Sequence, residues 1–160
     1  MNAGKVCVAA DIAGRIATLP RPLVFTNGVF DLLHRGHVEY LAAARALGAS
    51  LVVGLNSDLS ARGLGKGTGR PLVAFEDRAA VLAGLAAVDL IVGFDEPAPL
   101  ALLEGVRPDI YTKGGDYDMD CLPEAALVRG WGGSAIALPF LPGRSSSTLI
   151  RRIQALPHEH

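Results

Sequence analysis

Lysine is scarce in this sequence, occurring only at Lys5, Lys66 and Lys113, and the formal net charge is −1. Without an overall basic field the chain has no broad attraction for polyanions, so nucleic acid is not expected as a partner. Cysteine is rarer still. Cys7 and Cys121 stand far apart and without metal-ligand spacing, which argues against a disulfide framework or a zinc site and suits a reducing cytoplasm. No apolar run approaches the ~20 residues that cross a bilayer, and the N-terminus lacks a basic-then-apolar leader, so a cytoplasmic chain with no membrane partner is expected.

What is present is a core. Half of the 160 residues are hydrophobic and 19% are charged, the balance of a compact globule of one domain. Short apolar runs at Leu23–Thr26, Ser50–Leu55, Leu90–Val92, Asp109–Lys113 and Ser134–Leu138 read as five buried strands. Between them lie helical stretches: Val38–Leu47, Glu76–Ala87, a short one after Pro97-Ala-Pro99 that stops at Gly105, Pro123–Arg129, and Ser147–Gln154. In Glu76–Ala87, the residues Val81, Leu82, Leu85 and Ala86 are expected to form the buried face. Alternation at this spacing implies an α/β fold, a Rossmann-like doubly wound five-stranded parallel sheet. The core is expected over about residues 22–153, with residues 1–21 adding an N-terminal helical extension. Ligands in such sheets bind beyond the carboxyl ends of the strands, where strand order reverses, so the turns after strands one and four draw attention.

The first of these turns reads Asn27-Gly28-Val29-Phe30-Asp31-Leu32-Leu33-His34-Arg35-Gly36-His37 and runs into a helix. Gly28 is expected to let the chain turn off the strand, and Gly36 to let backbone approach a ligand. His34 and His37, three apart, can share one face beside the free N–H groups of the helix entrance, which with the helix dipole already attract phosphate. Two imidazoles there supply donors for charge developing on a phosphoryl group. A lone histidine at a helix start is often only a cap. Here two of the four histidines fall in one H-x-G-H, a pattern that chance would give in roughly one such chain in a hundred.

The run Gly28, Phe30, Asp31, His34, Gly36, His37 matches the G-x-F-D-x-x-H-x-G-H signature, and the chain resembles the cytidylyltransferase-like superfamily of nucleotidyltransferases from about Pro22 to Ile153. Within it the resemblance is strongest to the enzymes that transfer AMP from ATP to D-glycero-β-D-manno-heptose 1-phosphate, an activity of lipopolysaccharide precursor synthesis, in their stand-alone form. The resemblance implies ATP and a sugar 1-phosphate as partners, a homodimer, catalytic His34 and His37, and nucleotide contacts from Asn27, Gly28, Val29, Phe30 and Gly36. Asp31 is expected to orient the acceptor or a histidine. Glycerol-3-phosphate cytidylyltransferases share the histidine motif and remain a rival, as does a non-catalytic nucleotide-binding domain. An oxidoreductase fits less well, because the turn lacks G-x-G-x-x-G.

Other segments complete the expected site. Gly63-Leu64-Gly65-Lys66-Gly67-Thr68-Gly69-Arg70 is a cationic glycine-rich loop but not a P-loop, since Ser60 stands where its first glycine would be needed. It reads either as a plain surface loop or as a lid whose Lys66 closes on the triphosphate, with Arg70 a second candidate. The related enzymes carry a lysine in this loop and an arginine at the position of Arg78. Asn56, Asp58 and Arg78 are expected with the nucleotide. Lys113-Gly114-Gly115-Asp116-Tyr117 is a run the heptose-phosphate enzymes also carry, with Lys113 and Gly114 assigned to the nucleotide and Gly115, Asp116 and Tyr117 to the acceptor. Ser145, Ser146 and Ser147 open the last helix, as caps or as phosphate ligands. Arg144 departs from the family pattern, and its role stays open. Magnesium is expected to arrive with the triphosphate, since no carboxylate cage is visible.

Overall fold

The computed structural model describes residues 2–157; Met1, the first residue of the expected N-terminal extension, and residues 158–160 lie outside them. Six strands form one sheet: β1 (Val6–Cys7), β2 (Leu23–Gly28), β3 (Ser50–Asn56), β4 (Leu90–Phe94), β5 (Ile110–Gly114) and β6 (Ser134–Leu138). All pairings are parallel and the order is β1-β4-β3-β2-β5-β6. The helices are α1 (Ile12–Ala17), α2 (Arg35–Arg45), α3 (Asp58–Gly63), α4 (Phe75–Ala83), α5 (Leu100–Val106), α6 (Pro123–Gly130) and α7 (Ser146–Gln154).

The central strand β3 is buried at every position, which is why it reads as an unbroken apolar run rather than an alternating one. Side chains of β2 alternate between the two faces. Leu23 and Phe25 join Leu102, Leu103, Val106 and Tyr111 on the side of α1, α5 and α6. Val24 joins Tyr40, Leu41, Ala44 and Leu82 on the side of α2 and α4. At the amino ends of the strands, two aspartates tie neighbours together. Asp89 accepts from the Leu51 N–H at 2.8 Å and from Arg45 at 2.9 Å; Asp109 accepts from the Leu23 N–H at 2.6 Å and from Arg21 at 2.9 Å. From β2 the chain moves out to β3 and β4, then returns to lay β5 on the other flank of β2, so the reversal falls between β2 and β5. Their carboxyl ends hold Asn27, Gly28, Lys113 and Gly114.

Several expectations need correction. The sheet has six strands, not five, because Val6–Cys7 pairs with Ile91 and Val92 at the edge. β2 runs two residues further, to Gly28, since Asn27 and Gly28 still register with Gly54 and Leu55. α3 went unread from the sequence. α4 ends at Ala83, before Gly84, so Leu85 and Ala86 lie outside it, and the buried face is Arg78, Ala79, Leu82 and Ala83 while Val81 is 52% exposed. The buried face lies nearer the start of the helix than expected and includes a fully buried arginine.

Candidate active site

β2 delivers the chain to the top of the sheet, and the turn that follows is made by Phe30, not Gly28: Phe30 adopts φ 50°, in the left-handed region. Its ring is buried and meets the His37 ring edge-on, with centroids 5.2 Å apart. His34 is the N-cap residue of α2 in extended backbone, yet its side chain caps nothing. It lies instead against His37, ring centroids 3.8 Å apart and 25° from parallel. The role of Gly36 follows from this stack. A Cβ there would come within 3.0 Å of the His34 ring and 3.2 Å of Arg144 Cβ, so the glycine makes room for the imidazole and the neighbouring segment.

His34 Nδ1 and Nε2 and His37 Nδ1 are shielded atoms that meet no hydrogen-bond partner among the protein's own groups, which is uncommon in folded proteins. Burial lowers the pKa of both rings. For His37 burial is the largest cause, the His34 ring and Lys66 add to it, and the result is about 4. At neutral pH both rings are therefore uncharged, each with one donor and one acceptor nitrogen.

The histidines line a cleft of about 320 Å³, a size that suits a small ligand. Asn27 to Asp31, Lys66, Arg70, Lys113, Gly114 and Tyr117 contribute to its lining. Arg144 and Ser145 to Ser147 close it from the start of α7, whose first turn thus joins that of α2 around one space. Ser145 is the N-cap, accepting from the Thr148 N–H, and Ser146 donates to the Leu32 carbonyl at 2.9 Å, tying α7 to the turn below. Burial lowers the pKa of Lys113, opposed by Glu124 and reinforced by Lys66. Lys66, Arg70, Lys113 and Arg144 give the cleft a cationic lining inside a nearly neutral chain.

Two lining residues were missed in the sequence. Tyr40 lies one helical turn beyond His37, and its hydroxyl is locked between Thr26 (2.6 Å) and Thr112 (3.1 Å), which fixes the rotation of α2 over the sheet. The helical spacing from His37 was a usable signal for it. Phe140 stacks on Tyr40 at 5.6 Å, meets His37 edge-on at 6.5 Å and covers Gly114 so closely that a Cβ there would lie 2.4 Å from its ring. Nothing in the local pattern announced it.

Other expected residues lie elsewhere. Gly36, Asn56, Asp58, Arg78, Gly115 and Asp116 do not line the cleft. Arg78 sits beneath it with its guanidinium committed to the carbonyls of Val73 (2.9 Å), Val29 (2.7 Å) and Asn56 (2.8 Å) and to Asp58 (2.7 Å). Asn56 donates to Ser60. Asp31 does not hydrogen-bond to either histidine. Its carboxylate accepts from Arg70 Nε at 2.6 Å and from the N–H groups of Leu72 and Val73 at 2.9 Å each. Burial alone would raise its pKa, but those N–H groups and the Arg70 guanidinium outweigh it and hold the carboxyl below its usual range.

The chain shares 58% identity with the D-beta-D-heptose 1-phosphate adenylyltransferase of Bordetella bronchiseptica, over 92% of this chain and 89% of that protein. The Bifunctional protein HldE of Streptomyces coelicolor is 52% identical over 88% of this chain but only 30% of its own length, so this chain spans about a third of the bifunctional relatives. A lipopolysaccharide core biosynthesis protein from Thermoplasma volcanium superposes with a TM-score of 0.62 at 31% identity, over 74% of this chain and 95% of that one. The pantoate-beta-alanine ligase of Francisella tularensis, at 14% identity and a TM-score of 0.61, shares the fold over 89% of this chain and 68% of its own. The model of the cytidylyltransferase-like family matches residues 25–153, from the strand that carries the first turn to the helix that closes the cleft, and the chain belongs to that family.

Proposed function

We infer that this chain is an adenylyltransferase that joins AMP from ATP to D-glycero-β-D-manno-heptose 1-phosphate, giving ADP-heptose and pyrophosphate. The observation that carries the reaction class is the stacked pair of half-buried imidazoles at the start of α2, three of whose ring nitrogens meet no partner within the protein, in a cleft lined with cations. Identity of 58% to an enzyme named for heptose 1-phosphate supports the acceptor.

In the reaction, an oxygen of the acceptor phosphate attacks the α-phosphorus in line. A new P–O bond forms, the bond between the α-phosphorus and its bridging oxygen breaks, and pyrophosphate departs with the electron pair. The chain's task is positioning and charge stabilisation rather than covalent chemistry. His34 and His37 present N–H donors to the oxygens on the α-phosphorus, where charge is redistributed. The neutral rings gain both a partner and a favourable charge when the triphosphate enters. Lys66 and the first turn of α7 with Ser145 to Ser147 hold the departing phosphates. Lys113, Gly114 and Tyr117 face the remaining flank, where the sugar phosphate or the nucleoside is held.

Magnesium belongs to this reaction as the companion of the triphosphate, shielding its oxygens. Among the described residues no cluster of His, Cys, Asp and Glu is arranged to hold a cation, and the carboxylate lining the cleft, Asp31, is already committed to Arg70 and two N–H groups. Residues 22–153 act as one transferase unit, working in the cytoplasm as a homodimer. No helix among the described residues is long and apolar enough to cross a membrane.

A pyrophosphate-release assay crossing ATP and CTP with heptose 1-phosphate and glycerol 3-phosphate tests the proposal. Release is expected with ATP and heptose 1-phosphate. Release chiefly with CTP and glycerol 3-phosphate would transfer the chain to the rival cytidylyltransferase activity. ATP binding without release from any pair would leave a nucleotide-binding domain.

A further inference from the structure

The carboxylate of Asp31 is 1% exposed and lies in the first turn, three residues before His34, yet its hydrogen bonds run to a segment some forty residues later. Arg70 Nε, Leu72 N–H and Val73 N–H all converge on it. These three donors are the returning end of the loop that carries Lys66. Within that loop, Gly65, Gly67 and Gly69 have φ of 68°, 110° and 82°, and a Cβ on any of them would meet nothing within 4 Å, so the span has few contacts of its own to hold it. Its outgoing end is fixed through α3, where Asp58 pairs with Arg78 and Asn56 with Ser60. Its returning end is fixed by Asp31, with Arg78 gripping the Val73 carbonyl from below.

We propose that Asp31 is a positioning residue for Lys66: it pins the returning end of the 63–70 loop to the histidine turn and so sets where that lysine stands over the cleft, rather than holding the acceptor. A buried, charge-assisted cluster of three donors on one carboxylate is strong enough to fix one end of a loop that glycine leaves free. The same carboxylate locks the loop and the histidine turn to each other, so the lid and the anion seat keep a common register. The kinetic part of this inference rests on the transferase reading; the structural part does not.

The test uses the full chain with Asp31→Asn and, because a buried change can disturb folding, Arg70→Gln at the loop's end. Trypsin reports the loop directly, since Lys66-Gly67 is cleavable while Arg70-Pro71 resists. Either variant is expected to speed cleavage at Lys66 on the order of tenfold relative to cleavage after Arg129, the site that reports any loss of overall stability. Turnover should fall by a similar factor with the KM for heptose 1-phosphate held, and Asp31→Asn should add little in a Lys66→Ala background. Wild-type cleavage at Lys66 in both variants overturns the proposal, as does a raised acceptor KM at unchanged kcat with full additivity to Lys66→Ala. If the wild-type chain releases no pyrophosphate, the function assigned above fails, and the proteolysis alone decides this inference.

Discussion

Two polar clusters flank the turn after β2, and they are built in opposite ways. Beneath it, Arg78 and Asp31 are saturated: the guanidinium donates to three carbonyls and a carboxylate, and the carboxylate receives a guanidinium and two N–H groups. Above it, His34 and His37 leave three buried ring nitrogens with no partner. A chain that satisfies a buried charge so fully beside the same turn has no general difficulty in pairing polar groups. The unpaired side is the side to which the proposed function assigns the triphosphate.

Breaking the saturated cluster should have the largest effect. Arg78→Met strips four contacts from a side chain with 0% exposure and leaves Asp58 and three carbonyls to find new partners. Loss of about 3–5 kcal/mol is expected, read as a drop in the urea midpoint. A loss below about 1 kcal/mol would show that the network is decorative and would undo the contrast.

The unsaturated cluster should respond in the other currency. His34→Ala and His37→Ala are each expected to lower turnover about a hundredfold or more, while moving the unfolding free energy by no more than about 1 kcal/mol. If both variants turn over at the wild-type rate, the histidines are packing groups and the transferase reading loses its support.

The contrast also marks what a sequence conveys. The histidine turn was legible because its chemistry is local: spacing, a strand before and a helix after. The five longer strands were legible for the same reason, as apolar runs such as Ser50–Leu55. The destinations of Arg78 and Asp31 were not, because their partners are set by tertiary folding. Val73, Val29 and Asn56 offer backbone carbonyls, which any residue has, and Asp31 reaches across 39 residues to Arg70. Arg78 also misled the reading of α4, since a periodicity argument assigns arginine to water and the buried face came out shifted. α3 escaped because Asp58-Leu59-Ser60-Ala61-Arg62-Gly63 is short and half polar, with a Ser57 cap and no long apolar stripe. Phe140 reaches the cleft from a segment with no regular structure, and only its packing on Tyr40 and Gly114 shows why it is there.

That packing gives a smaller test of the unsaturated side. In Gly114→Ala the new Cβ collides with the far edge of a ring that is 38% exposed and can swing away. Stability should change by less than about 1 kcal/mol. The ring would, however, leave Tyr40 and His37, so a several-fold fall in kcat/KM is expected, following the rule that small displacements in a preorganised site are costly. An unchanged kcat/KM would show that Phe140 is only a cover.

A further effect concerns protons. The pKa of His37 is about 4 in the fold, against 6.5 for an unperturbed ring. Between those values the unfolded chain holds a proton that the folded chain lacks, so stability rises with pH across this window and is lost as pH falls from about 6.5 toward 4. Carboxylates titrate in part of the same range, so the informative quantity is the difference between wild type and His37→Asn, which should narrow as pH falls if the ring is the source. A triphosphate changes the sign locally, because an anion against the imidazole favours its protonated form and opposes burial, His34 and Lys66 together. Binding of ATP should then take up protons near pH 6, visible as a buffer-dependent heat in calorimetry, and the uptake should shrink in His37→Asn. Equal uptake in both proteins would mean that the phosphates do not meet this ring, and the two clusters would differ in satisfaction without differing in purpose.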